Sequence, residues 1–452
     1  MTSLKIIFEN KWVRIALLLI VVQQVLVATG TYLMGAIAND AAASNISLYR
    51  VLLLLFCLTI SGSLFHYLIS LSMVKGERGV LLGYLSAYIK NNYNHPQDWR
   101  NADEKKQRHQ IMCREGQGSL ETTVYFVVDV FTVILNITLN TMAVAVVTNA
   151  TLGLVTLAAG LVGLLIVHAS SEPISKSSEK EIHTQNQLND FLSRSWDNII
   201  LGNKEIYEYW REKFHQVYTQ AREGALGAAQ SRELSVSLAS FFTTGAVVST
   251  CLFLAWSSRN AIGEAVALLI MLPRSLQIVM HIQLIQSHWA RWKYLRQRLI
   301  VTDKSLVPNP NSDLERYIEY DSISIAKDDL KISARQFLNT LTKTDSGRYV
   351  IRGTNGSGKT SLLLLLKKEL GEKALFIPTH HTFEVQGSAN GKSSGEIAAM
   401  SFAWSQRSEA KYFLFDEWDA NLSRDNQELL NSQIDELSKS HVVIEVRHRN
   451  EV

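Results

Sequence analysis

The nine-residue stretch GTNGSGKTS, from Gly353 to Ser361, combines the residue types that bind phosphate. Its glycines let the backbone curl so that several N–H groups face the oxygens of one phosphate group. Lys359 is expected to reach the β- and γ-phosphates of a nucleotide, and Thr360 to hold Mg²⁺. The expected nucleotide-binding residues of this stretch are Gly353, Asn355, Gly356, Ser357, Gly358, Lys359, Thr360 and Ser361.

Two acids, Asp416 and Glu417, follow the apolar run Tyr412–Phe415. The run predicts a buried strand. At its end Asp416 is expected to meet Mg²⁺, directly or through water, and Glu417 to act as the base that polarises an attacking water. His448 follows a second apolar run and is expected to contact the γ-phosphate as a further catalytic residue; the alternative is an exposed histidine.

The elements around these residues are those of a nucleotide-binding α/β domain. The segment RYVIRGTNGSGKTSLLLLLKKEL predicts a short strand, a glycine-rich turn and an apolar helix, which is the context of a true P-loop. Pro308 and Pro310, with Asn and Ser neighbours, mark a linker before it. The predicted organisation is a membrane domain over 1–300, a linker over 301–315 and a compact nucleotide-binding domain over 316–452.

Long apolar runs fill the first part of the chain. A membrane-spanning helix needs about 20 mostly apolar residues. The sequence predicts six such spans, which are Trp12–Ala38, Val51–Val74, Thr122–Val147, Leu152–Ala169, Ala239–Trp256 and Ala261–Gln286. The first run has an alternative interpretation as a signal peptide, but it is longer than the roughly 7–15 residues typical of that apolar core.

The connections between the spans predict an orientation. The short ones hold a single basic residue, Arg259, whereas the two long ones, Lys75–Glu121 and Ser170–Leu238, are rich in Lys and Arg. The positive-inside rule therefore places the long connections and both termini in the cytoplasm. The long connections are predicted to continue the membrane helices, with a short crossing helix in 202–214 and another near Pro96; a solvated surface helix is the alternative for both.

Polar residues within the spans are candidates for a substrate cavity. Arg274, Gln277 and His281 are spaced so that they share one face of the sixth helix. Because lipid cannot satisfy such groups, the functional interpretation is a cavity with polar walls. The structural alternative is hydrogen bonding between helices, or snorkelling at the ends of the spans.

Overall charge and cysteine content exclude some classes of partner. The 45 basic and 42 acidic residues differ by only three, so no nucleic-acid partner is expected. The three cysteines, at positions 57, 113 and 251, lie far apart with no metal-site spacing.

These features together resemble the ATP-binding cassette (ABC) exporter family, over the whole chain. The resemblance implies an all-α six-helix transmembrane domain with the type I/type IV exporter fold, followed by an α/β P-loop NTPase domain of reduced size. It also implies a half-transporter that works as a homodimer in a lipid bilayer, with ATP and Mg²⁺ as cofactors. The segment from Ser393 to Trp418 is most similar to the branch that exports cyclic peptides and siderophore peptides.

In this family Gly353–Thr360 corresponds to the Walker A motif, Asp416 and Glu417 to the Walker B acids, and His448 to the switch histidine. Ser393 and Gly395 correspond to the signature motif that binds the nucleotide of the partner chain. Two departures stand out: Thr379 occupies the place of the Q-loop glutamine, and no aromatic stands near Ala326 where the family stacks adenine.

The resemblance implies an ATP hydrolase coupled to transport. The expected activity is export of a peptide or peptide-like small molecule, cyclic or modified, across the bacterial inner membrane. The alternative is a gradient-driven transporter whose degenerate nucleotide domain only senses ATP, with Asp129 or His281 relaying protons.

Overall fold

The structure is a computed structural model of the 452-residue chain. The residues that it describes are 2–40, 48–99, 108, 111–112, 116–257, 262–308, 313–327, 330–341, 343–378, 383, 400, 402–404, 406–419 and 422–447. Contacts between Cα atoms divide the chain into two units. The first unit holds residues 1–87 and 111–305, and the second holds residues 88–110 and 306–452.

The first unit is helical throughout its described part. Its helices are α1 (Thr2–Glu9), α2 (Lys11–Asp40), α3 (Leu48–Asn92, whose last residues belong to the second unit), α4 (Gly116–Val147), α5 (Ala150–Ala169), α6 (Ser171–Ser193), α7 (Ser195–Ile200), α8 (Lys204–Ser257) and α9 (Ile262–Ser305). Six of the described helices are long and apolar enough to cross a membrane, which are α2, α3, α4, α5, α8 and α9. The protein is therefore a multi-pass membrane protein, and each of the six predicted spans corresponds to one of these helices.

The long connections are helical, with two differences from the prediction. The fourth span does not run on without a break, because a turn at Ser170 separates α5 from α6. The short helix of the second long connection is α7, at Ser195–Ile200, so the crossing helix predicted over 202–214 is wrong. Residues 204–214 instead form the first turns of α8, because a sequence without Pro or Gly offers nothing to end the helix there.

Apolar packing between helices forms the core of the first unit. The buried residues of α4 recur every three or four positions, as in Leu120, Val124 and Val128, which is the spacing of one helical face. A cluster that includes Val144, Leu152 and Ile278 joins α4, α5 and α9.

The second unit contains a six-stranded mixed sheet. Its strands are β1 (Ile323–Lys327), β2 (Leu330–Ser333), β3 (Gly347–Gly353), β4 (Ala374–Ile377), β5 (Tyr412–Asp416) and β6 (Val442–Val446), and its described helices are α10 (Phe337–Leu341), α11 (Lys359–Leu370) and α12 (Arg424–Ser438). The strand order is β2-β1-β3-β6-β5-β4. The pairs β3–β6, β6–β5 and β5–β4 are parallel, whereas β1 pairs antiparallel with both β2 and β3.

The central strands are buried on both faces. All five residues of β5 and all five of β6 are buried, which explains their nearly continuous apolar sequences. The core of this unit packs α11 against the sheet, and the indole of Trp99, from the first long connection, packs against the same core. The described residues near Pro96 form the three-residue 3₁₀ turn Pro96–Asp98, and the crossing helix there stays a prediction.

Candidate functional site

The loop between β3 and α11 has a backbone that requires glycine at two positions. Gly356 and Gly358 have φ angles of +85° and +89°. A Cβ at Gly358 would lie 2.0 Å from the carbonyl oxygen of Tyr317, so a side chain does not fit there. A Cβ at Gly356 would meet no atom within 4 Å, so the space in front of this residue is open. The loop thus presents its backbone to an open space, as a phosphate cradle does.

Two polar side chains of this loop suit an anionic ligand. The Nζ of Lys359 donates to the carbonyl oxygens of Gly353, at 3.0 Å, and of Thr354, at 3.1 Å. The ammonium group therefore lies over the loop. Ser357 is 1% exposed, and its Oγ makes no hydrogen bond within the described part of the chain. Phosphate oxygens are the acceptors that this hydroxyl and this ammonium group need.

The end of β5 meets the start of α11. The Oγ1 of Thr360 donates to Asp416 Oδ2 at 2.9 Å, and Asp416 is only 6% exposed. Burial raises the pKa of Asp416 to about 6 although the hydrogen bond from Thr360 lowers it; Glu417 raises it further and Lys359 lowers it. Hydroxyl and carboxylate oxygens are ligands that Mg²⁺ prefers, so this pair fits the expected metal site.

Glu417, the residue after β5, has a left-handed backbone with φ +45°. Its N–H donates to the carbonyl oxygen of Val446 at 2.9 Å, which fixes it against the end of β6. A non-glycine residue in this conformation costs about 1–3 kcal/mol and is found mainly where function needs an unusual side-chain direction. The strain marks Glu417 as a candidate for a chemical role.

A buried charge network lies behind Glu417, and sequence reasoning did not find it. Glu445 of β6 is fully buried, and its carboxylate accepts from Trp418 Nε1 at 2.8 Å. The same carboxylate accepts two hydrogen bonds from Arg348, at 2.9 and 3.0 Å, and one from Arg447, at 3.0 Å. A lone acid within the apolar strand VVIEV was the available signal, because such a residue must find cationic or N–H partners.

Tyr317 is a second residue that the sequence did not single out. It lies in a 3₁₀ turn before β1, and its carbonyl oxygen and the Cα of Ile318 bound the space at Gly358. The side chain of Tyr317 is 57% exposed. The turn thus places an exposed aromatic residue beside the phosphate loop. No aromatic residue stands near Ala326, where the resemblance leads one to expect it.

Several predicted site residues lie outside the described residues. They are the signature residues Ser393 and Gly395, the histidine His448, and Thr379 with the two histidines that follow it. Their proposed roles stay predictions.

In the membrane unit the structure brings the three predicted cavity residues together. Arg274 Nη1 donates to Gln277 Oε1 at 2.7 Å, and His281 Nδ1 lies 2.7 Å from the carbonyl oxygen of Gln277. Arg274 Nη2 donates to Asn140 Oδ1 of α4 at 2.5 Å. Asn140 was not predicted. Nearby, Asn136 Nδ2 of α4 donates to Gln24 Oε1 of α2 at 2.8 Å.

Comparison with known proteins identifies no family for this chain. No protein-family model matches the chain, and no curated protein matches it.

Proposed function

We propose that the protein is an ABC-type half-transporter that hydrolyses ATP to export a peptide or peptide-like molecule. The observation that carries this proposal is the contact between Thr360 and Asp416. It joins the end of a glycine-rich phosphate loop to a buried carboxylate at the end of a parallel strand, in a chain with six membrane-spanning helices. These two residues, with Lys359 above the loop, are the parts that phosphoryl-transfer sites use to hold Mg²⁺ and the β- and γ-phosphates.

Each residue has a distinct role in the proposed hydrolysis. The backbone N–H groups of 354–358 and the Lys359 ammonium bind phosphate oxygens and balance their charge. Thr360 and Asp416 hold the metal ion, which supplies further positive charge when bound. Glu417 accepts the proton of the attacking water, and its backbone bond to Val446 sets the direction of its side chain. Tyr317 offers its ring to the base of the nucleotide.

The rest of the proposal follows the family resemblance. Two chains form a homodimer, and Ser393 and Gly395 of one chain close on the nucleotide of the other. Arg274, Gln277 and His281 line the path of the transported molecule. The chain lies in the bacterial inner membrane with both termini in the cytoplasm, because the basic residues are concentrated in the two long connections.

Hydrolysis of ATP by the purified protein in lipid vesicles tests this function. The wild type is expected to release phosphate in the presence of Mg²⁺. Lys359→Ala is expected to lower the rate by about 10²–10³-fold, since it removes a charged donor to the phosphates. Lys368→Ala, an exposed lysine on the same helix α11, is the matched control and keeps the wild-type rate.

Absence of ATP hydrolysis supports the alternative function, which is transport driven by an ion gradient. If the wild type binds ATP without releasing phosphate, and Lys359→Ala transports as well as the wild type, transport is driven by an ion gradient. Dissipating the proton gradient across the same vesicles then stops transport, whereas ATP-driven export continues.

A further inference from the structure

Among the described residues, Arg274 has only neutral hydrogen-bond partners. Its guanidinium donates to Gln277 and Asn140, whose acceptors are neutral amide oxygens. Its Nε is buried and makes no hydrogen bond within the described residues. An ion pair with Arg274 is likewise absent from the described part of the chain. Two of the five N–H donors of the guanidinium are thus engaged, and the Nε–H donor is unpaired within the described residues.

The position of the guanidinium is fixed by three helices. Asn140 Oδ1, which accepts from Arg274, also accepts from Thr31 Oγ1 of α2 at 2.7 Å. Asn140 Nδ2 donates to the carbonyl oxygen of Asn136 at 2.9 Å, so the amide cannot turn over without losing a hydrogen bond. A charged group held in place by neutral partners is preorganised for a further, charged partner.

Three acids of the membrane helices are distant in sequence from the residues around the guanidinium. Along α4, Asp129 precedes Asn140 by 140 − 129 = 11 residues, which is about 16 Å at the rise of an α-helix. Glu264 precedes Arg274 on α9 by 274 − 264 = 10 residues, about 15 Å. Asp40 follows Thr31 on α2 by 40 − 31 = 9 residues, about 14 Å. The backbone positions of these three acids are therefore each about 14 to 16 Å along a helix from a residue that holds the guanidinium.

A second copy of the chain, in a symmetric dimer, does not bring an acid closer to the level of Arg274. In a dimer whose two-fold axis runs along the membrane normal, each residue of the partner has the same depth as its equivalent. The partner therefore brings another Arg274 to this level, with its own acids displaced by the same distances. Dimerisation doubles the positive charge in the middle of the membrane.

The residues of this site are partly exposed at the surface of the described helical unit. Gln277 is exposed, and Arg274 and His281 on the same face of α9 are half-buried. Arg274 also lies 274 − 262 = 12 residues from the start of α9, about 18 Å along the helix, so it is far from the headgroups of the nearer lipid leaflet. A molecule that enters the membrane domain is thus a better match for the site than a lipid phosphate.

We propose that Arg274 is the counter-ion for a carboxylate carried by the transported molecule. This inference rests on the proposed transport function and narrows the substrate class to amphipathic peptides or peptide-like molecules with a free carboxylate, at a C-terminus or on an acidic side chain. The planar guanidinium fits a carboxylate with two parallel hydrogen bonds. When the transported molecule binds, its carboxylate neutralises the positive charge of Arg274. The amides of Gln277 and Asn140 keep the guanidinium oriented toward it.

Competition between two peptide pools tests the inference. Full-length protein in lipid nanodiscs is mixed with a pool of N-acetylated hydrophobic tetrapeptides with free C-terminal carboxylates and the same pool as C-terminal amides. Mass spectrometry measures which members the protein retains. The wild type is expected to retain the carboxylates about tenfold more than the amides, a ratio that one charge-assisted contact supplies.

Three variants test whether the charge of Arg274 causes the preference for carboxylate peptides. Arg274→Gln is expected to lose the preference, and Arg274→Lys, which keeps the charge without the planar fork, to keep part of it. Arg296→Gln removes an exposed arginine of the same helix and should bind as the wild type does. Size-exclusion elution and circular dichroism verify that each variant is folded.

The outcomes separate this inference from the proposed function. Equal or no retention of the two pools by the wild type overturns the role of Arg274, and so does an unchanged preference in Arg274→Gln. If that happens while the wild type hydrolyses ATP, ATP-driven transport stands and only the counter-ion fails. A carboxylate preference in a protein that releases no phosphate overturns ATP-driven export and supports the counter-ion.

Discussion

The indole Nε1 of Trp418 donates to Glu445 Oε2 at 2.8 Å and so ties the residue after Glu417 to a carboxylate in the middle of the sheet. The side chain of Glu445 is fully buried, and those of Arg348 and Arg447, which also bond to it, are 15% and 17% exposed. Charges this well buried depend on one another, because removing Glu445 takes a buried carboxylate from both guanidinium groups.

Glu445→Leu is expected to destabilise the sheet by about 3–5 kcal/mol, since Arg348 and Arg447 then both lose a fully buried carboxylate partner. Trp418→Phe removes one hydrogen bond to a charged acceptor and should cost about 1.5–3 kcal/mol. Hydrogen exchange of the β6 amides measures the free energy of opening. Asp435→Asn is the control: it removes an exposed partner of the same Arg348 and should cost no more than about 1 kcal/mol. A similar cost for Asp435→Asn and Glu445→Leu would contradict this account.

The raised pKa of Asp416 predicts a pH dependence of metal binding. Mg²⁺ needs the ionised carboxylate, so its apparent affinity should fall about tenfold per pH unit below the pKa of about 6. Titration of Mg²⁺ with a fluorescent ATP analogue between pH 5 and 8 measures this. Asp416→Asn should bind Mg²⁺ weakly at every pH; a wild-type affinity that stays constant from pH 5 to 8 would argue against Asp416 as a ligand.

The same group predicts how stability depends on pH in the absence of metal. The pKa of Asp416 in the folded protein, about 6, is above its ordinary value of 3.8, so the folded state binds this proton more tightly than the unfolded state does. Its contribution should therefore decrease the stability by on the order of 2–3 kcal/mol as the pH rises from about 4 to above 6. Thermal unfolding of the wild type and Asp416→Asn at pH 4.5 and 7 measures the difference, which should vanish if burial leaves the pKa near 3.8.

Glu417 can be tested separately for its side chain and its backbone. Both Glu417→Gln and Glu417→Gly remove the base and are expected to abolish ATP hydrolysis while nucleotide still binds. Glu417→Gly should also raise the stability of the nucleotide-free protein by about 1 kcal/mol, because glycine accepts the positive φ without strain. Phosphate release and the thermal midpoint of each variant give the two readouts. Wild-type hydrolysis by Glu417→Gln would remove this residue from the mechanism.

Tyr317 is expected to set the affinity for the base of the nucleotide. Tyr317→Ala should raise the KM for ATP about tenfold or more, since a stacked base contributes about 1–3 kcal/mol, and should change kcat little. Tyr317→Phe keeps the ring and should retain the wild-type KM. Inorganic triphosphate, which has no base, serves as the control ligand, and its affinity should be the same in all three proteins. A KM that does not respond to Tyr317→Ala places the base elsewhere.

Features that depend on neighbouring residues in the chain could be predicted from the sequence, whereas contacts between distant residues could not. The six spans could be predicted because a bilayer requires long uninterrupted apolar runs, and the phosphate loop because its glycines and its flanking strand and helix are contiguous. The partners of Glu445 could not, since Arg348 lies 97 residues away and meets it only once β3 and β6 pair. The boundary of α8 was misjudged for a similar reason: the local pattern fits a helix but does not say where it begins.

Residues 88–110 also belong to the second unit, although the chain runs from them directly into membrane helices on both sides. Nothing in their composition predicts this, because the apolar surface that receives Trp99 is built by residues more than 200 positions later. Membership in a folding unit is a property of contacts rather than of continuity along the chain.

The strand order has a consequence for biosynthesis. β6, the last described strand in chain order, lies between β3 and β5. Until residue 446 has been made, β3 therefore has no parallel neighbour among the described strands, and β5 has only β4. The ribosome therefore makes the other five described strands, and Trp99, before it makes β6. Apolar strand edges exposed in this interval are prone to wrong pairing. Folding of the second unit therefore requires a five-residue strand to insert between two strands that were made earlier.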